Sequence, residues 1–349
     1  MMTDTIQSSP HQASNSISIC IPAYGRPNEF SLLLNSLRLL TTPAHEILIC
    51  EDGSPQRQQV FEIAQKFADD MRDVPTIVRY VNNEKNLGYD GNLRQLISLA
   101  TGDYVFFIGN DDYVLPQAMK TAGQFLQQHK VLAASRSFAR FSTNPLQPLG
   151  YSRVYLTDQV ITKDNAHAGM VQRIGGFFGG LIFDRRWAES MATNEYDGTL
   201  YYQMYLLLNA FATGTIGYMC EPTVAARADN APLFGNALSE QGHFTPGRYS
   251  AEARGKMWES ILRIAQDTEH KTGVPISEAI RHELSGRMSF HVFEMFAGRD
   301  KQELLRLRQE LQRVRLYEHW LPKCLYFINL IFGKNSIYLY SLARKLLQR

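Results

Sequence analysis

The clearest chemical signal in this chain is a pair of adjacent acids, Asp111 and Asp112, that follows the apolar run 106–108. Neighbouring carboxylates repel each other unless a positive charge neutralises them. Mg²⁺ and Mn²⁺ supply that charge, and they often share carboxylates with the phosphates of a substrate. The pair therefore predicts a site for Mg²⁺ or Mn²⁺, although a solvated turn with an aspartate helix cap would explain such a pair in isolation.

Three further polar clusters each follow an apolar, strand-like run. Tyr24 and Arg26 come after the first run, where an aromatic ring could stack on a base and a guanidinium could meet a phosphate. Asp52 and Gly53 come after the second run. The carboxylate could accept from a ribose hydroxyl or a base N–H, and the glycine would allow the ligand to approach the backbone closely. Residues 86–92 form a glycine-rich turn that could present backbone N–H groups to an anion. Each cluster alone also fits an ordinary turn or helix start.

Strands and helices that alternate along the chain must position these clusters. Apolar runs at 17–21, 46–50, 76–81 and 103–108 predict strands, and stripes of apolar residues at helical spacing lie between them. This alternation predicts a mostly parallel sheet flanked by helices, a Rossmann-like α/β fold. The polar clusters should then meet at the carboxyl ends of the strands, where such folds bind ligands.

The pattern changes along the chain and predicts three segments. Residues 131–248 mix strand-like and helical stretches, and the pattern from about 250 to 349 is helical. We therefore predict a disordered lead over residues 1–16, a catalytic domain over residues 17–248 and a helical C-terminal region over residues 249–349. The lead has no basic segment followed by an apolar run, so it does not resemble a secretory signal.

The composition excludes several classes of protein. The chain has 349 residues, of which 44% are hydrophobic and 20% are charged, as in globular proteins. A net charge of +2 is too small to indicate a nucleic-acid partner. The four cysteines have no paired spacing, so we expect neither a zinc site nor a disulfide framework. No stretch has the roughly 18–20 apolar residues that span a bilayer, and we expect a cytoplasmic protein.

The C-terminal residues combine apolar and basic side chains. Residues 320–332 are the most apolar stretch of the chain, and Lys334, Arg344, Lys345 and Arg349 follow among tyrosines and leucines. Such helices suit the anionic face of a membrane, which would place the protein at the inner face of the cell membrane. Packing on the catalytic domain or on another subunit explains the pattern equally well, so an oligomer is also compatible with it.

In their order and spacing, these segments resemble the inverting glycosyltransferases of family 2, which have the GT-A fold. The resemblance extends over residues 17 to about 230. The Gly-Asn-Asp-Asp motif is most similar to that of bacterial O-antigen and capsule transferases, a subgroup that includes abequosyltransferases. The matching segments are Ile21-Pro22-Ala23-Tyr24, residues 46–54, Asn86-Leu87-Gly88 and residues 100–107.

The resemblance implies an activity and its substrates. A sugar would pass from a UDP-, CDP- or dTDP-sugar to a hydroxyl group, with inversion, during synthesis of a surface polysaccharide. The acceptor would be a glycan or a polyprenyl-diphosphate-linked oligosaccharide. Mn²⁺ or Mg²⁺ would bridge the donor diphosphate to the protein.

The resemblance also implies roles for individual residues. Asp111 and Asp112 would hold the metal, and Asp52 would contact the pyrimidine or the ribose. Gly109 and Asn110 stand where the family often has a further acid, so the first metal ligand is missing or indirect. Arg227 and Asp229 resemble a late basic segment that could reach the metal or the acceptor. The nucleotide would lie among Pro22, Tyr24, Arg26, Asn92, Asn110 and Asp111.

An inverting transfer needs a base that takes the proton of the acceptor hydroxyl. In the family this base is a carboxylate ahead of a helix, and the matching stretch here is 194–199. Asp197 is the first candidate and Glu195 the second, although either could simply cap the helix. The segment Phe177-Phe178-Gly179-Gly180 could form the floor under the acceptor or could belong to the core.

Two other functions are compatible with these residues. A nucleotidyltransferase also joins a parallel sheet to a metal and a nucleotide. It would carry a glycine-rich basic loop after the first strand, however, and Arg26 is a poor substitute for that loop. A catalytically inactive scaffold at a membrane surface would keep the fold, but the intact acidic clusters argue against it.

Overall fold

The computed structural model describes residues 15–228 and 230–347, with the side chains described up to residue 342. Residues 1–14 of the predicted disordered lead, and Asp229, lie outside the described residues. Ser16, at the end of that lead, is bonded to the folded domain, because its N–H and its hydroxyl donate to the carboxylate of Asp103 at 3.0 and 2.7 Å. The predicted disorder is therefore wrong for Ser16.

Four parallel strands form one half of a ten-stranded sheet. They are paired in the order β3-β2-β1-β4, so that all four end at the same edge. The predicted strands are confirmed here, because runs of buried apolar residues suit strands that are covered on both faces. Their bounds are β1 (Ile17–Ala23), β2 (Glu46–Glu51), β3 (Ile77–Asn82) and β4 (Tyr104–Phe107).

Helices connect these parallel strands and cover both faces of the sheet, as crossover connections require. They are α1 (Pro27–Leu37), α2 (Arg57–Asp70) and α3 (Gly88–Leu99). Side chains alternate along β1, so that Ile19 and Ile21 pack in one core with α1 and α2, and Cys20 packs in the opposite core with α3. The predicted two-sided α/β arrangement is therefore confirmed.

The other half of the sheet is mixed in direction. The long strands β6 and β10 are parallel, whereas β9 is antiparallel to both β4 and β6. The strands are β5 (Tyr113–Val114), β6 (Ala133–Phe141), β7 (Gly150–Ser152), β8 (Gln159–Ile161), β9 (Ile182–Asp184) and β10 (Ile216–Arg227). The helices are α4 (Ala118–Gln128), α5 (Gly169–Gly175), α6 (Arg185–Ser190) and α7 (Tyr202–Thr213).

The C-terminal region is helical, as predicted. Its long helix α8 begins at a serine cap, where Ser250 Oγ accepts from the N–H of Ala253 at 3.0 Å, and ends at Gly273 with φ +71°. No helix in residues 15–228 and 230–347 is long and apolar enough to cross a membrane. The helices are α8 (Ala251–Thr272), α9 (Ser277–Ser285), α10 (Ser289–Met295), α11 (Lys301–Arg313), α12 (Trp320–Phe332) and α13 (Ser336–Leu347).

These C-terminal helices share a core with the rest of the protein. Trp258 and Ile261 of α8 belong to the same buried cluster as Leu207 of α7 and Leu93 of α3. The helical region therefore packs directly on one face of the sheet domain, where it can contribute to a site at the sheet edge.

Candidate active site

A cavity of about 790 Å³ lies at the carboxyl ends of the parallel strands. This volume is within the range of small-molecule sites. The strand order explains its position, because the loops after β1, β2, β3 and β4 all meet at one edge. The predicted site residues that line it are Pro22, Tyr24, Arg26, Asp52, Asn92, Asn110, Asp111, Asp112 and Arg227.

Asp52 is held in place by neighbouring donors directly after β2. Its Oδ1 accepts from the side-chain amide of Asn83 and from the N–H of Leu87, both at 2.8 Å. Burial nevertheless raises the pKa of Asp52 to about 6, and the charge of Glu240 acts in the same direction. A carboxylate has about four acceptor sites, so this fixed side chain keeps capacity to accept from a ligand.

Asn83 connects the two predicted nucleotide contacts, Asp52 and Asn92. Its amide also lies 3.2 Å from Oδ1 of Asn92, whose own amide donates to the carbonyl of Cys50 at 3.1 Å. Asn83 follows β3 and is buried. We did not predict it, and its position after a strand is the signal that could have identified it.

The loop after β4 is bound to the loop after β1. The side-chain amide of Asn110 donates to the carbonyl of Gly25 at 3.0 Å, so this amide positions the loop. Arg26 forms an ion pair with Asp111 and donates to the carbonyl of Ala231. Asp111 also accepts from the side-chain amide of Asn230 at 2.8 Å.

Asp112 is buried beside Asp111, and its electrostatic surroundings are unfavourable for a second negative charge. Burial, followed by the charge of Asp111, raises the pKa of Asp112 well above its usual range. Its Oδ1 accepts from the backbone N–H of Arg227 at 3.0 Å. The charges of Arg136 and Arg227 partly compensate the carboxylate. A further cation at this pair would relieve the remaining repulsion.

Arg136 is a buried cation that we did not predict. It lies on β6, packs against the rings of Phe138 and Phe177 at 5.3 and 4.9 Å, and donates to the carbonyl of Phe177 at 3.0 Å. Burial lowers its pKa to about 9, which still leaves the guanidinium charged at neutral pH. On the sequence, Arg136 is one arginine in an apolar strand, and its approach to Asp112 depends on the order of the strands.

Arg227, a predicted site residue, supports the loop of the acidic pair. Its Nε donates to the carbonyl of Asp111 at 3.1 Å and its Nη1 donates to the carbonyl of Ser142 at 2.8 Å. The guanidinium also packs over the ring of Phe141 at 4.7 Å. Arg227 therefore connects β6 and β10 to the loop of the acidic pair.

The acidic pair fits Mg²⁺ or Mn²⁺. A Cβ placed on Gly109 would lie 2.9 Å from Oδ2 of Asp112 and 3.2 Å from Oδ1 of Asp111, so both carboxylates lean over this glycine. They offer hard oxygen donors of the kind that these ions share with substrate phosphates. No group of three or more His, Cys, Asp or Glu side chains within residues 15–228 and 230–347 could hold a metal. An ion held by this pair would therefore need further oxygens from a ligand to complete its coordination.

The two acids predicted as the base do not line the cavity. Asp197 forms a two-pronged ion pair with Arg94 of α3, with distances of 2.5 and 2.9 Å. Glu195 is exposed, 3.7 Å from Arg263 and 3.5 Å from Lys271. The geometry gives no support to either residue as the base, because both carboxylates face cations outside the cavity.

A buried acid on α3 fixes the turn before α7. Asp90 accepts from the N–H of Leu200 and the N–H of Tyr202, both at 2.9 Å, and holds Leu200 at φ +63°. Burial raises the pKa of Asp90 to about 7. This bonding places Leu200, Tyr201 and Gln203 along the cavity wall. Asp90 adjoins the glycine-rich turn, but nothing in the local sequence indicates its distant partners.

The remaining wall comes from α5, the segment after it, and the C-terminal helices. Phe177 and Phe178 line the cavity, and their role as an acceptor floor stays a prediction. The helical region was expected at a membrane, on another subunit or on the catalytic domain, and its first helices contribute to the cavity. The contributing side chains are those of Tyr249, Arg254, Met257, Trp258, Met288, His291 and Met295.

Comparison with known sequences identifies relatives of this chain. Residues 18–185 match the glycosyl transferase family 2 model. The chain is 26% identical over 226 residues to abequosyltransferase RfbV of Salmonella typhimurium, which covers 61% of this chain and 67% of the relative. It is 32% identical over 109 residues to the uncharacterized glycosyltransferase YibD of Escherichia coli, which covers 31% of this chain and 30% of the relative.

Comparison with solved structures identifies the fold. Residues 1–349 of Staphylococcus aureus TarS, in complex with UDP-GlcNAc, superpose with a TM-score of 0.59 at 14% identity, covering 95% of this chain and 92% of that chain. Mannosyltransferase PcManGT of Pyrobaculum calidifontis, in complex with GDP-Man and Mn²⁺, superposes with a TM-score of 0.54 at 12% identity, covering 96% and 87%. The predicted fold and the predicted family are both confirmed. The chain carries a glycosyltransferase domain of family 2 with the GT-A fold.

Proposed function

We propose that this protein transfers a sugar from a nucleoside-diphosphate sugar to a hydroxyl group of a surface-polysaccharide acceptor, with inversion and with the help of a divalent cation. The observation that carries the proposal is the convergence of Asp52, Asp111 and Asp112 on one cavity at the sheet edge. The UDP-GlcNAc complex of TarS and the GDP-Man and Mn²⁺ complex of PcManGT support it by similarity of fold.

The nucleotide would lie at the loops after β1, β2 and β3. Asp52 would accept from a ribose hydroxyl or a base N–H, since Asn83 and Leu87 fix its carboxylate. Asn92 supports this carboxylate through Asn83. Tyr24 lines the same part of the cavity and offers a ring on which a base can stack.

The diphosphate would lie at the loop after β4. Asp111 and Asp112 would hold Mn²⁺ or Mg²⁺, and the ion would neutralise the charge that develops on the leaving diphosphate. Arg26 already binds Asp111, so a cation that takes over this carboxylate would leave the guanidinium free to contact a phosphate. Asn110 and Arg227 would position the loop.

The acceptor hydroxyl must lose its proton to a base within reach of the cavity. Asp197 and Glu195 lie outside the cavity. Besides the acidic pair and Asp52, whose carboxylate is assigned to the nucleotide, the lining side chains of the described residues that can accept a proton are those of Glu240 and His291. We therefore place the base at one of these two residues rather than in the stretch 194–199.

The exposed face of the last two helices fits an acceptor that is linked to a lipid. Trp320, Phe327 and Ile331 of α12 are 64%, 56% and 73% exposed. The nearby Lys323 and Lys334 are also exposed. Aromatic and aliphatic side chains with flanking lysines suit an anionic membrane surface. The proposal is therefore a peripheral enzyme at the inner face of the cell membrane, where a polyprenyl-diphosphate-linked oligosaccharide would be its acceptor.

The decisive experiment is a thermal-shift titration with UDP, CDP, dTDP and GDP, each with and without Mn²⁺. We expect one nucleotide to raise the melting temperature in proportion to the logarithm of its concentration, and to do so more strongly with Mn²⁺. In Asp111→Asn and Asp112→Asn the effect of Mn²⁺ should disappear. Asp73→Asn, at an exposed position outside the cavity, is the matched control. No protection by any nucleotide, or Mn²⁺ dependence that persists in both variants, would contradict the proposal.

A further inference from the structure

Arg254 of α8 is a buried cation that lines the cavity. Its side chain is only 5% exposed, and its guanidinium packs over the ring of Tyr249 at 4.8 Å. Its Nη2 lies 3.3 Å from the sulfur of Met295. Neither an aromatic ring nor a thioether carries the negative charge that a buried guanidinium requires.

The hydrogen-bonding capacity of Arg254 is incompletely used. Its Nε is buried and has no hydrogen-bond partner among the described residues. On α5, the side-chain oxygen of Gln172, another residue that lines the cavity, is likewise buried without a partner. Buried polar groups are almost always bonded, so unpaired groups in a cavity wall indicate a ligand.

Positive charge accumulates around Arg254. Burial lowers the pKa of Arg299, and the charges of Arg248 and Arg254 lower it further. Arg299 donates to the carbonyl of Tyr249 at 2.8 Å, so two guanidinium groups bind the same tyrosine, one through its ring and one through its backbone. Glu303, which pairs with both Arg248 and Arg299, compensates part of this charge.

Tyr249 also connects this cluster to the proposed diphosphate site. The charges of Arg26 and Asp111 act on its hydroxyl, together with that of Arg254. The loops after the strands already provide Arg26 and the acidic pair for the donor. The guanidinium on α8 belongs instead to the helical part of the wall, which the proposed nucleotide contacts leave uncovered.

We propose that Arg254 forms a second anion subsite, which binds a phosphoryl group of the acceptor next to the donor diphosphate. The inference rests on the proposed function, and it specifies an acceptor that carries a phosphate close to the hydroxyl that receives the sugar. An arginine can bind such a group through two parallel N–H bonds, whereas a neutral sugar would leave Arg254 without a counter-charge among the described residues.

The test uses methyl phosphate as the probe and the full chain loaded with its preferred nucleoside diphosphate and Mg²⁺. Calorimetric titrations compare the wild type with Arg254→Met and Arg254→Lys. We expect methyl phosphate to bind at least about tenfold more weakly to Arg254→Met, and Arg254→Lys to keep part of the affinity. Nucleotide affinity should stay within about twofold, because the donor has its own cations.

The control variant is Arg263→Met, which removes the same charge from the same helix at a site outside the cavity. It should bind both ligands like the wild type. Methyl phosphate that does not bind to the wild type, or that binds equally to Arg254→Met, overturns the subsite. A loss of nucleotide affinity in Arg254→Met assigns the guanidinium to the donor diphosphate and overturns the acceptor assignment. If no nucleotide binds the wild type, the proposed function fails, whereas methyl phosphate titrated into the nucleotide-free protein still tests Arg254.

Discussion

Single carboxylates in this cavity differ in their surroundings, and these differences support the different roles proposed for them. Asp52 accepts two hydrogen bonds from neutral donors, whereas Asp112 lies buried beside a second acid. Asp111 is paired with Arg26. The first arrangement suits recognition of a neutral donor on a ligand, and the other two suit a site that receives a cation.

The pH dependence of nucleotide binding should report on Asp52. Its pKa is raised to about 6, and donor groups of a ligand bind the ionised form. Affinity should therefore be highest above pH 6 and fall towards tenfold per pH unit below it. Titrations between pH 5 and pH 8 would measure this. Asp52→Asn should bind the nucleotide more weakly and should lose the part of the pH dependence that comes from Asp52. The part that comes from ionisation of the nucleotide itself should be the same in both proteins. Identical pH profiles for the two proteins would contradict the role.

Gly109 provides the space above the acidic pair. A methyl group there would meet Asp112 at 2.9 Å and Asp111 at 3.2 Å, so Gly109→Ala must displace at least one carboxylate. We expect the Mn²⁺-dependent part of nucleotide affinity to fall at least about tenfold, with a destabilisation of about 1–2 kcal/mol. Gly123→Ala on α4 is the control, because its Cβ would meet nothing within 4 Å. Wild-type metal dependence in Gly109→Ala would contradict the placement of the ion at these two carboxylates as they lie here.

At the level of helices and loops, two acids of similar sequence context stabilise the same turn through different partners. Asp90 of α3 fixes the turn before α7 through backbone N–H groups. Asp197 connects the loop before α7 to Arg94 of the same helix α3. Both acids therefore brace the turn that carries Tyr201 and Gln203 into the cavity.

Replacing Asp197 should affect stability more than chemistry. Asp197→Asn breaks a partly buried, two-pronged ion pair, and we expect a loss of about 1–2 kcal/mol in chemical denaturation. The turnover number should change less than about threefold, because the carboxylate is not in the cavity. Glu195→Gln, at an exposed position, should change neither quantity. A collapse of turnover in Asp197→Asn at unchanged stability would instead identify this residue as the base.

The sequence predicted well which segments form strands and helices, and it drew attention to the polar residues that follow the strands. Alternating strands and helices predicted the parallel half of the sheet, and the strand ends predicted Asp52, Asp111 and Asp112 as site residues, which lie together in one cavity. It was uninformative where distant segments meet. The roles of Asn83 and Arg136 depend on strand order, and Arg254 becomes part of the site only because α8 packs against α7. Asp197 was chosen because it precedes a helix, and only the folded chain shows that Arg94 binds it.

At the level of the whole molecule, the last two helices expose apolar side chains on the protein surface. Phe327 and Ile331 lie one turn apart on α12 and are both exposed. Removing them should leave the fold intact, because neither side chain belongs to a buried core cluster.

The double variant Phe327→Ser with Ile331→Ser tests the membrane proposal. In sedimentation with anionic vesicles we expect at least a tenfold loss of binding, because burial of two large apolar side chains contributes several kcal/mol. Leu39→Ser, at an exposed position after α1, is the control and should bind like the wild type. Equal binding by the double variant would contradict a lipid contact through this face.

The division of the cavity wall also has an evolutionary consequence. The strand loops that would grip the activated sugar fall within residues 18–185, whereas Arg254, Trp258 and His291 come from helices further along the chain. Substitutions in those helices can alter which molecule is glycosylated while the loops for the incoming nucleotide stay intact. Under the proposed function, the acceptor specificity could therefore evolve through changes in one contiguous stretch of helices. The loops proposed to bind the nucleotide and the diphosphate would not have to change.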